Sequence, residues 1–157
     1  MTLDDVADMV RIRSTPGVRE IWVSADVEAD VRAAVLDPDL HYLVIEIEDG
    51  TIVGGIQWTA EPDPDYHHAS IDIYLDPAFH GRGLCTDAVR TLARHLFEDE
   101  GHHRLTIDPA ADNHAAIGCY SKVGFRPVGV MRQYERGADG TWHDGLLMEL
   151  LAEEFDG

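Results

Sequence analysis

The chain has 157 residues, 45% of them hydrophobic, with 12 lysines and arginines against 30 aspartates and glutamates. A chain of this length is expected to fold as one domain, residues 1–157, around a single core. Its net charge of −18 disfavours nucleic acid and anionic membrane surfaces as partners and favours cationic ligands. The same charge also fits a simple adaptation for solubility. The acidic N-terminus and the absence of a long apolar run predict a cytoplasmic protein without a membrane segment.

The cysteines and histidines form no recognisable metal-binding or disulfide pattern. Cys85 and Cys119 fall within predicted helices without C-x-x-C spacing, so we expect two small buried side chains and no disulfide framework. Adjacent histidines at 67–68 and 102–103 would point to opposite faces of a strand and could not both chelate one ion. The sequence therefore predicts no metal site.

Two amphipathic helices are predicted to begin the chain. Apolar residues recur at spacings of three and four over residues 3–13 and again over 26–36. The sequence STPG at 14–17 ends the first helix, and DPD at 37–39 ends the second.

Antiparallel strands are predicted next. HYLVIEIE (41–48) alternates in hydrophobicity and is followed by Asp49-Gly50, a typical type I′ turn, and by the strand TIVGGIQWTA. ASIDIYL (69–75) alternates again and predicts a third strand.

The second half of the chain returns to helical spacing. Apolar positions predict helices over 83–97 and 112–123, and strands over 102–108, 127–136 and 142–150. The order of these elements indicates a mixed α/β fold that ends in a strand, helix, strand, helix unit and a final hairpin.

A glycine-rich turn precedes the longest predicted helix. Gly81-Arg82-Gly83 would present bare backbone N–H groups at a helix N-terminus, where the partial positive charge suits a phosphate or pyrophosphate. Such turns also occur only to satisfy backbone geometry. No Gly-Lys-Ser/Thr follows, and Asp87 stands where a third glycine of a dinucleotide-binding motif would be sought.

The segments IYLDPAFHGRGLCTDAV and DNHAAIGCYSKVGF resemble the GNAT superfamily of N-acetyltransferases. The resemblance covers residues 41–150 and implies acetyl-CoA as co-substrate. It also implies a single-domain α/β fold with a mixed sheet, antiparallel N-terminal strands, a splayed parallel strand pair and flanking helices. The sequence predicts no strand before the first helix, although many members of the superfamily have one there.

The resemblance also implies a set of cofactor-binding residues. They are Ile73, Tyr74 and Leu75 on the splayed strand, the loop residues His80, Gly81, Arg82, Gly83, Leu84, Cys85 and Thr86, and Asn113 and Tyr120. The family usually has Gln or Arg in place of His80, and Gly or Ala in place of Cys85. Histidine still offers a donor and cysteine is small, so cofactor binding is expected to persist.

Within the superfamily, the Asp72 strand and IDPAADNHAAIGCYSKVGF resemble the aminoglycoside 6′-N-acetyltransferases. By this resemblance Asp72 and Asp108 face the substrate and Tyr120 protonates the departing thiolate. The residues alone leave plainer alternatives. Asp72 could belong to the solvated face of an antiparallel strand, Asp108 could be a turn acid before Pro109, and Tyr120 could be a core tyrosine.

These residues lead to three hypotheses of function. The first is acetylation of a primary amine on a cationic small molecule, an aminoglycoside, by a monomer or homodimer. The second is acetylation of a polyamine or a protein N-terminus, and the third is a non-catalytic acyl-CoA-binding module. The acidic loop Glu61–Asp65 is predicted to form the rim of a cationic substrate site. Trp58, Tyr66, Tyr134 and Trp142 are assigned no role.

Overall fold

Six strands form one mixed sheet in the order β1-β2-β3-β4-β6-β5, in a computed structural model that describes residues 1–157. The predicted fold class is confirmed. The strands are β1 (His41–Glu46), β2 (Ile52–Ala60), β3 (Ala69–Leu75), β4 (Arg104–Ile107), β5 (Arg126–Arg136) and β6 (Trp142–Leu151). The α-helices are α1 (Val6–Arg13), α2 (Pro16–Arg19), α3 (Val27–Leu36), α4 (Leu84–Glu98) and α5 (His114–Val123). No helix is long and apolar enough to cross a membrane.

The predicted hairpin between β1 and β2 is present, but the predicted type I′ turn is wrong. Such a turn needs two successive residues with positive φ. Only Gly50 has one, at 84°, and Asp49 does not. The register shifts at Ile45/Glu46, so a bulge adapts the strand to the different turn.

The parallel strands β3 and β4 separate soon after they meet. They pair only at Ala69 with Leu105 and at Ser70 with Thr106. Beyond that level β3 continues along β2 to Leu75, whereas the chain after β4 follows β6, where the Leu146 amide donates to the Pro109 carbonyl over 2.8 Å. Because each strand stays with its outer neighbour, a gap opens between them.

Helices cover both faces of the sheet. The helices α4 and α5 pack over the larger hydrophobic cluster, which includes Ile71 and Leu75 of β3. The helices α1 and α3 cover the other face, where Tyr74 of the same strand is buried. Because side chains alternate between the two faces along β3, Tyr74 faces α1, whereas Ile71 and Leu75 face α4 and α5.

The expectation that Cys85 and Cys119 are unlinked is wrong. They form a disulfide between α4 and α5, with their Cα atoms 6.4 Å apart. The two residues lie 34 positions apart in the sequence, on helices that only tertiary packing brings together, so cysteine spacing carried no signal of the bond.

Three histidines form an aromatic cluster with Trp58 at one end of strands β1 to β4. The buried His102 ring lies 4.4 Å from the His67 ring and 5.6 Å from that of Trp58. His41 stacks on the other side of Trp58, at 3.8 Å. No three histidine, cysteine or acidic side chains are placed to hold one metal ion.

Candidate functional site

A cavity of about 960 Å³ occupies the gap between the splayed strands. It extends from the glycine-rich turn to the segment after α1. Nearly all of the predicted site residues line it: Asp72, Ile73, Tyr74, Leu75, His80, Gly81, Gly83, Leu84, Cys85, Thr86, Asp108, Asn113 and Tyr120. The splay thus brings together residues that lie far apart in the sequence.

The glycine-rich turn leaves a row of backbone N–H groups free. Gly81 and Gly83 have φ of 75° and 83°, which side chains rarely adopt. The amides of residues 81–86 donate to no protein acceptor, and Gly83 is the N-cap of α4. Six free donors at the positive end of a 15-residue helix fit a pyrophosphate group such as that of acetyl-CoA.

Arg82 is the one predicted residue that does not line the cavity. Its guanidinium lies 4.8 Å from the centre of the Phe79 ring and donates to the Ala78 carbonyl over 3.4 Å. The Arg82 side chain therefore contacts its own turn, and only its backbone belongs to the row of free amides.

His80 and Asn113 each make a local hydrogen bond. A ring nitrogen of His80 lies 3.3 Å from the Leu75 carbonyl oxygen, which ties the turn to the end of β3. The Asn113 side chain accepts from the Ala116 amide over 3.1 Å and caps α5. Both side chains are thereby oriented at the wall of the cavity.

Two carboxylates face the cavity at the same level of the splayed strands. Asp72 and Asp108 each follow the last paired residue of their strand by two positions. Gln57 donates to Asp72 over 3.4 Å. Burial among protein atoms raises the pKa of Asp72, and the neighbouring Asp108 charge adds to this effect, whereas the Gln57 hydrogen bond opposes it. Asp72 is accessible through the cavity, so a substrate can reach it.

Tyr120 lies on α5 across the cavity from the carboxylates. It is only 6% exposed. Burial raises its pKa above the ordinary value, and the charges of Asp72 and Asp108 raise it further. The hydroxyl therefore stays protonated at neutral pH and can act as a proton donor. Its ring belongs to the core, so the plainer interpretation as a core tyrosine is also correct in part.

Sequence reasoning missed three residues that β5 brings to the same cavity, Tyr134, Glu135 and Arg136. The register of β5 shifts between Met131 and Glu135. Gln133 has a φ of 52° there, and its amide donates to Asp144 over 2.8 Å. This bulge places Tyr134 and Glu135 in the cavity wall. A bulge leaves little trace in hydrophobic alternation, so no clear signal of it was present in the sequence.

The carboxylates nearby raise the pKa values of both Tyr134 and Glu135. The Asp108 carboxylate, as hydrogen-bond acceptor, raises the pKa of Tyr134 to about 12, with help from burial. Burial and the Asp108 charge raise the pKa of Glu135. The acidic groups of the cavity are thus electrostatically coupled, and a bound cation would relieve their repulsion.

The last residue of α1 and the segment that follows it were also missed. Arg13, Gly17 and Trp22 line the end of the cavity. Arg13 stands three and four residues after Val10 and Met9, where the predicted apolar stripe of the first helix continues. A charged residue on this apolar stripe was the one feature of the sequence that could have marked Arg13 as part of a site.

The predicted acidic rim is not part of the cavity wall. Asp63 and Asp65 are exposed, and the Asp63 carboxylate accepts from the Asp65 amide over 2.9 Å within their own turn. Neither lines the cavity. The acids that do are Asp72, Asp108 and Glu135.

The sequence profile of the Acetyltransferase (GNAT) family matches residues 7–125. The aminoglycoside N(6′)-acetyltransferase type 1 of Klebsiella pneumoniae is 39% identical over 150 residues, which covers 83% of this chain and 74% of that protein. The putative [ribosomal protein bS18]-alanine N-acetyltransferase of Bacillus subtilis is 33% identical over 120 residues, which covers 75% and 73%. A crystal structure of spermidine N-acetyltransferase from Vibrio cholerae with CoA and spermine superposes with a TM-score of 0.84 at 16% identity, which covers 98% of this chain and 94% of that one.

For some relatives the match spans only 63% of their own length. The family profile, in contrast, spans most of this chain, from α1 to the residue after α5 and its glycine C-cap. Acetyl-CoA is the acetyl donor of that family, and the free amides of residues 81–86 fit its pyrophosphate. The chain belongs to the acetyltransferase (GNAT) family.

Proposed function

We propose that this chain transfers the acetyl group of acetyl-CoA to a primary amine of a cationic small molecule, and that this molecule is an aminoglycoside acetylated at its 6′-amino group. The observation that carries the proposal is the position of Asp72 and Asp108, side by side in the gap between β3 and β4. The 39% identity with an aminoglycoside N(6′)-acetyltransferase supports the choice of substrate.

Asp72 is proposed as the general base. An amine with a pKa near that of lysine is almost wholly protonated at neutral pH and cannot attack a thioester until it loses a proton. A carboxylate attracts the ammonium form and then accepts its proton, directly or through water. The raised pKa of Asp72 brings it closer to neutrality and makes it a better proton acceptor than an ordinary aspartate.

Asp108 is proposed to hold the substrate. It lies beside Asp72 in the wall of the cavity, so it can bind a second ammonium or a hydroxyl group of a polycation while Asp72 acts on the first. The chain's charge of −18 raises the local concentration of such a substrate at low salt.

The remaining predicted residues are proposed to hold the acetyl donor. The amides of residues 81–86 would bind its pyrophosphate. The edge of β3 from Ile73 to Leu75, which pairs with no strand on the β4 side, would bind the pantetheine arm. One of its N–H groups can stabilise the negative charge that develops on the carbonyl oxygen during attack. Tyr120, still protonated, would donate a proton to the departing thiolate.

A second candidate is acetylation of a protein N-terminus. It is supported by the 33% identity with the putative ribosomal-protein alanine acetyltransferase over three quarters of the chain. A peptide offers one ammonium next to a carbonyl, whereas an aminoglycoside offers several ammonium groups. The cluster of Asp72, Asp108 and Glu135 suits several positive charges better.

The test is release of coenzyme A from acetyl-CoA, followed with a thiol reagent, over kanamycin, tobramycin, gentamicin, spermidine and a basic peptide. Turnover of the aminoglycosides that Asp72→Asn abolishes is the expected result. Turnover only of the peptide or of spermidine would replace the proposed substrate. Binding of acetyl-CoA with no turnover of any amine would replace the proposed activity with acyl-CoA binding alone.

A further inference from the structure

Arg13 is a buried arginine without an anionic partner. It is 7% exposed, and no carboxylate lies within ion-pair distance of it, although the chain has 30 acidic residues. Its Nε is buried and makes no hydrogen bond. In contrast, Arg11, two residues earlier, is paired with Asp8 and Asp76 at 3.3 and 3.2 Å.

The surroundings of Arg13 are aromatic. Its guanidinium carbon lies 5.3 Å from the centre of the Trp22 ring, a cation–π contact. Trp22 in turn packs edge-on against Tyr74, whose centroid is 4.9 Å away, and the Tyr74 hydroxyl is bonded to that of Tyr42. The Trp22 ring orients the guanidinium but does not neutralise it.

Such an arrangement is costly for the folded protein alone. A guanidinium has five N–H donors and keeps its charge at every accessible pH. Burial of a charge without a paired acceptor costs free energy that one cation–π contact only partly offsets. The Nε atom is enclosed by protein, but Arg13 lines the cavity, so the terminal N–H groups of its guanidinium are available to a ligand there.

The location relates Arg13 to the proposed reaction. Tyr74, which packs against Trp22, lies two residues after Asp72 on the same face of β3. Residues i and i+2 of a strand are roughly 7 Å apart. Arg13 and Asp72 line the same cavity, so a ligand that extends from the amine towards Trp22 can contact both side chains.

We infer that Arg13 and Trp22 form a subsite for an oxyanion, a phosphate or carboxylate group of a bound ligand. Arginine binds both groups with parallel N–H···O bonds, and Trp22 holds the plane of the guanidinium in place. Two sources share this chemistry. One is a phosphate of acetyl-CoA that reaches past the glycine-rich turn, and the other is a carboxylate on the acetyl acceptor. The inference goes beyond the proposed function and does not depend on which amine is acetylated.

The experiment measures ligand binding by calorimetry on the full chain, without turnover. The variants are Arg13→Gln, which keeps a polar side chain but removes the charge, and Arg13→Lys, which keeps the charge but loses the planar fork. Arg132→Gln is the matched control, since Arg132 is exposed, has no ion pair and does not line the cavity. Each charged probe is compared with a neutral one. Coenzyme A is paired with pantetheine, which lacks its phosphates, and N-acetylglycine is paired with N-acetylglycinamide, which lacks its carboxylate.

The expected result is a loss of about tenfold or more in affinity for one charged probe in Arg13→Gln, the size of one charge-assisted hydrogen bond. Its neutral twin should bind unchanged, and Arg132→Gln should behave as the wild type. Loss for coenzyme A alone assigns the subsite to the cofactor, and loss for N-acetylglycine alone assigns it to the acceptor. Arg13→Lys should fall between the wild type and Arg13→Gln.

Two outcomes would overturn the inference. One is equal binding of every probe by Arg13→Gln and the wild type. The other is a loss of affinity that is the same for each charged probe and its neutral twin, which would mean that Arg13 only shapes the cavity. If Arg13→Gln does not fold, Arg13→Lys supplies the comparison.

Discussion

Asp72 and Asp108 occupy equivalent positions on two parallel strands, each two residues beyond the last backbone pair, Ser70 with Thr106. Strand pairing would normally hold such residues in register across a continuous sheet. Here the strands part, so both carboxylates line a cavity and a ligand can enter between them.

Asp72→Asn should lower kcat/KM by roughly 10²- to 10⁴-fold, the usual contribution of a general base. In the wild type the rate should rise as pH increases through the pKa of Asp72, which lies above its ordinary value. The asparagine variant should lack this rise. A pH profile of kcat/KM on both proteins measures it.

The same substitution should not destabilise the fold. Because the folded-state pKa of Asp72 is raised, the folded protein binds more protons than the unfolded chain between the two pKa values, and stability falls as pH rises through that window. At neutral pH Asp72→Asn should therefore have an equal or higher Tm. Asp63→Asn, which removes an exposed charge outside the cavity, should change neither Tm nor KM by a measurable amount.

Tyr120→Phe should lower kcat by roughly 10²-fold, because it removes the proposed proton donor but keeps the buried ring. The KM for acetyl-CoA should change little. Since the pKa of Tyr120 is raised, its ionisation should cause no loss of rate in the wild type up to about pH 10. Tyr42→Phe is the control, because Tyr42 lies in the core on the α1 face. Full kcat in Tyr120→Phe would exclude the proposed role.

Gly83→Ala should weaken acetyl-CoA binding. No atom lies within 4 Å of an added Cβ, so the cost comes from the φ of 83°, about 1–2 kcal/mol for a residue other than glycine. The turn should relax and misalign its free amides. Gly50→Ala is a close match, with a φ of 84° and open space around it, but in a distant hairpin. Both variants should lose similar stability, and only Gly83→Ala should raise the dissociation constant for acetyl-CoA.

Much of this site could be predicted from the sequence because the relevant signals are local. Hydrophobic alternation located β3, helical spacing located α4, and the glycines between them marked the turn with positive φ. The family motif then named Asp72, Asp108 and Tyr120, all of which the structure places at one cavity.

The features that sequence reasoning missed depend on tertiary packing. The Cys85–Cys119 bond joins two helices whose contact no spacing rule describes. Glu135 reaches the cavity only because a bulge shifts the register of β5. Arg13 was visible as a charge on an apolar stripe, but its lack of a partner could be recognised only with its neighbours in place.

Reduction of the Cys85–Cys119 bond should destabilise the protein. The bond closes a loop between residues 34 apart, which corresponds to about 3–4 kcal/mol of unfolding free energy in the chain-entropy account. Denaturant unfolding with and without a phosphine reductant measures the loss. The double variant Cys85→Ser/Cys119→Ser should match the reduced protein and be insensitive to reductant. Detection of two free thiols in the native, unreduced protein would contradict the bond.

Acidification should destabilise the protein through His102. Burial lowers the pKa of His102, and the His67 charge lowers it further; its buried Nδ1 has no hydrogen-bond partner. The unfolded chain therefore binds the proton more readily, and stability should fall as pH decreases from the ordinary histidine pKa towards the lower folded-state value. His102→Phe keeps an aromatic ring between His67 and Trp58 and should reduce this dependence. The measurement is the free energy of unfolding between about pH 7.5 and 5 for both proteins. An identical slope in the two would mean that other groups cause the acid sensitivity.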